Sequence, residues 1–210
     1  MTFEYSRMNY YLGSLYSKAN NYNKALNYLN SSLVFYQIKD MIYVNNFSIQ
    51  ILINKLNLFR LKGIDPSLQI ELDFICDYCF QLMIRNEQPQ FSQLCSPKLY
   101  IKFQSILINI VAKKNIDKIH QIILINKNFY EMLTDPILIN QVAFFYYLIN
   151  NLEESMKLIE KSLHNVNQSI LSEIEYLGLQ CNKCMILHIL GLHDQCKYIL
   201  NKIKIDFSVG

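Results

Sequence analysis

Apolar residues recur along most of the chain at the three- and four-residue spacing of one helix face. Between residues 41 and 62, for example, Tyr43, Phe47, Ile51 and Leu58 follow this spacing, and Gly63 ends the run. A period near 3.6 residues indicates amphipathic helices that bury one side, whereas a strand would alternate with a period of two. The pattern therefore predicts a helical protein.

Start and turn signals divide this helical pattern into pairs. Asp65-Pro66, Ser96-Pro97 and Asp135-Pro136 each combine a side chain that caps free backbone N–H groups with a proline suited to the first helical position. Turn residues are expected at Asn20, Gly63, Asn115, Asn150 and Gly191. The polar stretch 86–96 is predicted to be a loop, with a domain boundary as the alternative. The resulting five helical hairpins cover residues 4–38, 41–86, 97–133, 136–166 and 169–205.

Pairs of small residues stand 12 positions apart in three of these hairpins. Two antiparallel helices approach closely only where a small side chain allows it, so such pairs predict the crossing points. The three pairs are Gly13 with Ala25, Ala143 with Ser155, and Cys184 with Cys196.

The first hairpin resembles the tetratricopeptide repeat family. Its pattern W-x2-L-G-x2-Y, A-x3-F, P is matched by Leu12, Gly13, Tyr16 and Ala25, with Leu29 in place of the aromatic residue. Asn9 replaces the Trp and Gln37 replaces the Pro. The resemblance implies an all-α fold, an α-solenoid of about five hairpins with a concave groove. We expect residues 1–210 to form one such domain, as part of a longer protein.

Composition excludes several classes of function. The hydrophobic fraction is 51%, five Gly and four Pro leave little for β-turns, and the net charge of +3 comes from scattered lysines. Direct nucleic-acid binding is therefore not expected. The N-terminus lacks the apolar region of a secretory signal, and the apolar stretch from 137 to 149 is interrupted by Asn140 and Gln141. We expect a cytoplasmic protein without a membrane partner.

Six cysteines are expected to be reduced and mostly buried, as small apolar residues. The alternative is a metal site, because Cys76-x2-Cys79 and Cys181-x2-Cys184 have the half-site spacing of structural zinc. Each pair is predicted to lie inside a helix, without the turn that shapes a zinc knuckle. We therefore expect neither a metal nor a cofactor.

No catalytic constellation is visible in the sequence. The four histidines are scattered, Glu153-Glu154 has the position of helix-start carboxylates, and no glycine-rich phosphate loop is present. The chain is therefore expected not to be an enzyme.

The family resemblance implies that the first helix of each hairpin lines the concave groove. Asn side chains there would bond a peptide backbone, and Tyr, Phe and Met would supply apolar contacts. The chain is rich in Asn throughout, so any single Asn is weak evidence. The predicted groove residues are Arg7, Tyr10, Ser14, Ser17, Lys18, Asn54, Asn109, Asn140, Phe144, Tyr147, Cys181, Met185 and His188.

The leading hypothesis is a non-enzymatic module that binds a peptide or protein segment. A narrower version resembles the sensor domains of Rap/PlcR-like peptide-pheromone receptors, although no helix-turn-helix precedes the repeats. Some family members bind the carboxylate of a C-terminal tail with a Lys and an Asn. Tyr10 and Ser14 stand at those positions here, so binding of a C-terminal tail by this clamp is disfavoured. A second hypothesis is a structural scaffold subunit of a multiprotein complex. The alternative to a longer protein is that Tyr5, Tyr10 and Tyr11 meet another subunit, as in a homodimer.

Overall fold

The computed structural model describes residues 2–38, 41–42, 45–62, 66–85, 95–112, 115–166 and 172–207. Within these residues the fold is all-α, as predicted, with ten α-helices and one two-stranded antiparallel sheet of two residues per strand. The elements are α1 (Phe3–Lys18), α2 (Tyr22–Val34), β1 (Gln37–Ile38), β2 (Met41–Ile42), α3 (Asn46–Lys62), α4 (Pro66–Arg85), α5 (Pro97–Val111), α6 (Ile116–Glu131), α7 (Pro136–Leu148), α8 (Leu152–Asn165), α9 (Glu173–Ile189) and α10 (His193–Phe207).

The chain forms two compact units. Unit 1 is Met1–Lys118 and unit 2 is Ile119–Gly210. In unit 1, α1 packs on α2, and α3 packs on α2, α4 and α5; in unit 2, α7 packs on α8, and α9 packs on α7, α8 and α10. Successive helices pair closely in α1–α2, α7–α8 and α9–α10, as in stacked hairpins, whereas α3 packs more extensively on α5 than on α4. The single-domain organisation stays a prediction.

Two Asn-Asn dipeptides form matching turns between paired helices. Asn20 and Asn150 adopt φ values of 58° and 59°, the left-handed region that Asn tolerates better than most residues. The following residues, Asn21 and Asn151, cap the next helix, because each side chain accepts a hydrogen bond from the backbone N–H three residues later. One dipeptide therefore ends one helix and starts its partner. Gly191, with φ 75°, ends α9 in the same conformation.

The predicted start signals are confirmed where the structure describes them. Ser96 accepts a hydrogen bond from the Leu99 N–H, and Asp135 accepts from Ile137 and Leu138 at 2.8 and 3.2 Å. The predicted turn at Gly63, the cap at Asp65 and most of the 86–96 loop lie outside the described residues.

The small-residue pairs meet at the helix crossings, as predicted. A Cβ added to Gly13 would lie 2.8 Å from Leu29 Cγ and 3.2 Å from the Ala25 carbonyl oxygen. Ser155 Oγ donates to the Ala143 carbonyl at 2.7 Å, which joins the second pair directly. The third pair is also in contact, since Cys184 Sγ lies 3.8 Å from the Cys196 carbonyl oxygen.

Buried serines add a second crossing contact that the sequence pattern does not reveal. Ser6 and Ser32 donate to each other's carbonyl oxygen at 2.8 Å, and Ser162 donates to the Pro136 carbonyl at 2.7 Å. Both contacts join residues 26 apart, at the open end of α1–α2 and of α7–α8. The hydroxyls satisfy their hydrogen-bonding capacity while allowing close approach of the backbones.

One predicted helix begins later than expected. The apolar spacing predicts a helix from Met41 onward, but Met41–Ile42 pairs with Gln37–Ile38, and α3 begins at Asn46. Asn45 Oδ1 accepts from the N–H groups of Phe47 and Ser48 at 2.9 Å, so the helix start is set by this cap. Two residues per strand are too few to show an alternating pattern in the sequence.

Among the helices that the structure describes, none combines the length and apolar character needed to cross a lipid bilayer.

Candidate peptide-binding site

A small pocket in unit 2 brings together four of the predicted groove residues. Asn140, Phe144 and Tyr147 reach it from α7, and Met185 reaches it from α9. The cavity has a volume of about 10 Å³, room for about one water molecule, and it opens to solvent. The remaining lining residues are Ser155, Ile159, Asn182 and Ile186.

Two asparagine side chains define the polar part of the pocket. Asn182 Nδ2 on α9 donates to Asn140 Oδ1 on α7 at 3.2 Å, and both side chains are half-buried. This bond orients the two amides but uses only part of their capacity. The N–H groups of Asn140 and the oxygen of Asn182 supply a donor and an acceptor beside the pocket.

An aromatic pair forms the apolar wall. The rings of Phe144 and Tyr147 stack at a centroid distance of 5.8 Å with an interplanar angle of 24°, and Phe144 keeps 36% of its surface exposed. Met185, on the other side, has a flexible thioether that adapts to differently shaped partners. The wall therefore offers apolar contact of low selectivity.

The floor of the pocket is rigid. Ala143, Ile159 and Ile186 are each at most 1% exposed and form a core cluster against which Tyr147 packs. Ser155, which lines the pocket, joins α8 to α7 because its Oγ donates to the Ala143 carbonyl. A ligand would therefore meet side chains that stand on a packed core.

Of the predicted groove residues in unit 1, the structure joins Ser14 and Asn54 directly. Asn54 Nδ2 on α3 donates to Ser14 Oγ on α1 at 3.2 Å, and the Tyr10 ring lies 5.0 Å from that of Phe47. Arg7 is exposed: its guanidinium donates to the Tyr11 hydroxyl at 3.5 Å, and this hydrogen bond is the main cause of a raised Arg7 pKa. Lys18 is exposed and Ser17 is half-buried.

Three other predicted residues join neither the pocket nor the Ser14–Asn54 contact. Asn109 donates to the Ser105 carbonyl of its own helix at 2.8 Å, and its side chain is exposed. Cys181 is exposed on α9. His188 is exposed at the end of α9, with its ring 4.9 Å from that of His193.

Asn182 is a pocket residue that the family pattern does not identify. That pattern predicts Cys181 in the groove, one position earlier. Asn182, Met185 and Ile186 share one face by their three- and four-residue spacing. This spacing is the available signal in the sequence, but the rotation of α9 about its axis decides which face meets α7.

A second depression in unit 2 is larger, with a cavity volume of about 220 Å³, and has a mixed-charge lining that includes Lys127, Glu131, Lys157 and Lys161. Several of these charges already have partners. Lys157 pairs with Glu153 and Glu154, and Lys161 donates to the Glu131 carbonyl at 3.1 Å.

None of the six cysteines forms a disulfide, and four of them are buried. Burial raises the pKa of Cys79, that of Cys95 to about 12 and that of Cys184 to about 11, so these thiols stay protonated. No cluster of three or more metal-ligating side chains occurs in the part of the chain that the structure describes.

Comparison with known proteins places the fold among TPR-like helical repeats. A crystal structure from Podosopora anserina, described as putative kinesin light chain nearly identical TPR-like repeats, superimposes with a TM-score of 0.61 at 13% identity, covering 95% of this chain and 93% of that chain. A single-residue variant of the same Podosopora anserina protein gives a TM-score of 0.62 at 13% identity, covering 95% and 92%. No family model matches the sequence, and no curated protein does. The predicted α-solenoid fold is confirmed.

Proposed function

We propose that this protein is an interaction module that binds an extended peptide segment at the α7–α9 pocket. The observation that carries the proposal is the hydrogen-bonded pair Asn140–Asn182 beside the stacked Phe144 and Tyr147. Together these side chains offer a peptide backbone both a donor and an acceptor, and offer its side chains an apolar wall.

The size of the pocket favours a peptide over a small metabolite. Sites for small molecules usually measure about 300–1,000 Å³ and enclose most of the ligand. This pocket opens to solvent and has a cavity volume of only about 10 Å³, room for about one water molecule, so only a small part of a longer ligand would enter it. The rest of that ligand would run along the helices on either side.

The fold supports the same proposal. Stacked helical hairpins present extended surfaces, and TPR-like repeats commonly use them to bind other proteins. The unit 1 pair Ser14–Asn54 has similar chemistry on α1 and α3 and is proposed as a separate polar contact within unit 1. Arg7, Tyr10 and Lys18 belong to this proposed surface, and Asn109 and His188 remain predicted contacts.

The test begins with a ligand selected from a random-sequence peptide library displayed on phage, using the purified chain as bait. Affinity of the selected peptide is then measured by fluorescence anisotropy. The double variant Asn140→Ala, Tyr147→Ala removes a polar contact and half of the aromatic wall, and we expect an affinity loss of about tenfold to a hundredfold.

A matched control removes the same side-chain types elsewhere in unit 2. Tyr198, 71% exposed, and Asn201, also exposed, both lie on α10. The variant Tyr198→Ala, Asn201→Ala should bind the peptide as the unaltered chain does. Equal losses in both double variants, or none in either, would show that the pocket is not the site.

A narrower form of the proposal is a sensor for short signalling peptides of the Rap/PlcR-like kind. In that case a free peptide should bind as tightly as the same segment placed inside a longer chain. The scaffold hypothesis predicts instead that the Asn140→Ala, Tyr147→Ala variant still co-purifies with its protein partners.

A further inference from the structure

Helix α1 carries a stripe of five exposed side chains: Glu4, Met8, Tyr11, Leu15 and Lys18. Their spacing of four, three, four and three residues places all five on one face of the helix. Met8 and Tyr11 are each 52% exposed and Leu15 is 61% exposed. The buried residues of α1, namely Ser6, Asn9 and Gly13, lie away from this face.

The order of charge along this α1 stripe is symmetrical about Tyr11. Glu4 stands seven residues before Tyr11 and Lys18 stands seven residues after it, while Met8 and Leu15 flank it three and four residues away. The stripe itself is thus acidic at one end, apolar in the middle and basic at the other end, and Arg7 lies beside it, one turn from Glu4, with its guanidinium donating to the Tyr11 hydroxyl. Such a pattern complements a reversed copy of itself.

We propose that the α1 stripe is an interface through which two copies of this protein associate, with their α1 helices antiparallel across a two-fold axis at Tyr11. In this arrangement Glu4 of one copy faces Lys18 of the other at both ends, and the apolar residues fill the space between. A parallel arrangement would place like charges together at each end. An isologous contact of this kind closes on itself as a dimer.

The size of the stripe sets the strength of the dimer. A 16-residue helix is roughly 24 Å long. Pairing along it buries on the order of 1,000 Å² in total, at the low end for specific interfaces. Exposed ion pairs contribute little affinity each, so the apolar centre supplies most of it and the charges select the orientation. The dimer should therefore be weak and concentration-dependent.

The α1 stripe shares Lys18 with the proposed unit 1 surface, but it is separate from the α7–α9 pocket. It belongs to unit 1 and shares no residue with the α7–α9 pocket of unit 2. Loss of the dimer is expected to leave the pocket's own affinity for a selected peptide unchanged.

The test is sedimentation velocity of the purified chain over a range of concentrations. The unaltered chain should pass from monomer to dimer as concentration rises. Leu15→Glu should weaken dimerisation at least about tenfold, since it buries a charge at the apolar centre. The control Leu124→Glu changes a 72% exposed leucine of α6 in the same way and should have no effect.

A charge exchange tests the orientation. Glu4→Lys should weaken the dimer by opposing Lys18 of the other copy, and the double variant Glu4→Lys, Lys18→Glu should restore it. A monomer at every concentration would overturn the proposal. Failure of the exchange to restore the dimer would also overturn it.

A cross-linking experiment locates the axis. Tyr11→Cys should give a disulfide-linked dimer with oxidised glutathione, because residue 11 faces itself, above the background of the chain's own cysteines. Tyr5 is 46% exposed on α1 but lies outside the stripe. Cross-linking of the Tyr5→Cys variant should therefore not exceed that background. Equal cross-linking of the two variants would contradict the antiparallel pairing.

Discussion

Replacing Gly13 with alanine tests the close contact between α1 and α2. The added methyl carbon would lie 2.8 Å from Leu29 Cγ, 3.0 Å from Leu29 Cδ2 and 3.2 Å from the Ala25 carbonyl oxygen. Leu29 is completely buried, and the carbonyl belongs to the backbone of α2. Neither neighbour can move without disturbing the core between the helices.

Two opposing effects determine how far Gly13→Ala changes the free energy of unfolding. Alanine is favoured over glycine inside a helix by about 1 kcal/mol. Overpacking of a filled core costs about 1–3 kcal/mol. The free energy of unfolding should therefore fall by about 0–2 kcal/mol for Gly13→Ala, and further for Gly13→Leu, whose larger side chain has no space at all.

The control is Gly178→Ala in α9, where a Cβ would meet nothing within 4 Å. This variant makes the same chemical change inside a helix without overpacking, and it should stabilise by about 0.5–1 kcal/mol. Urea denaturation followed by circular dichroism measures both variants. If Gly13→Ala stabilised the protein as much as Gly178→Ala does, the close crossing at Gly13 would be refuted.

Other predictions follow from single contacts. Ser155→Ala removes the hydrogen bond to the Ala143 carbonyl and should lower the free energy of unfolding by about 1 kcal/mol in urea titrations. Ala143→Leu should cost about 1–3 kcal/mol in the same assay, since Ala143 is completely buried, and an unchanged midpoint would disprove the predicted crossing. Asn150→Ala should destabilise by about 1–2 kcal/mol whereas Asn150→Gly should not, because φ is 59° there; equal thermal midpoints would argue against the left-handed turn. Burial raises the pKa of the Cys184 thiol from 9.0 to about 11, so the folded state holds a proton that the unfolded state releases. This contribution to stability is present below pH 9.0 and is lost as the pH rises towards 11. Cys184→Ala should reduce that alkaline loss in urea titrations at roughly pH 8 and pH 10.5.

The helical crossings can be predicted from the sequence because steric demands are local and specific. A crossing needs a small residue at a fixed distance from the turn, which is why Gly13 and Ala143 can be identified with their partners 12 residues later. The Asn-Asn turns can also be predicted from the sequence, since few residues other than Asn and Gly tolerate a positive φ.

The short sheet and the second polar contact cannot be predicted in the same way. The strands at 37–38 and 41–42 have two residues each, too few to show the alternation of apolar and polar residues that identifies a strand. The reciprocal bonds between Ser6 and Ser32 join residues 26 apart, and serine occurs as readily on a solvent-facing helix surface. Only the packed helices reveal that these hydroxyls are buried.

The candidate site is partly predictable. The repeat pattern places Asn140, Phe144, Tyr147 and Met185 on helices that converge, and the structure brings them to one pocket. The repeat pattern does not identify Asn182. Whether Asn182 or its neighbour Cys181 faces α7 depends on the rotation of α9 about its own axis, which the pattern does not specify. Contacts between helices of different hairpins depend on how each helix is rotated about its axis, and the spacing of residues in the sequence does not determine that rotation.

The most direct test of the proposed function is a nuclear magnetic resonance titration of the isotopically labelled chain with a peptide selected from the random library. We predict that the side-chain amide signals of Asn140 and Asn182 and the backbone signals near Phe144 shift together as the peptide binds. Binding that left these signals unchanged, with shifts confined to the charged depression around Lys127 and Lys161, would contradict a peptide site built on the two asparagines.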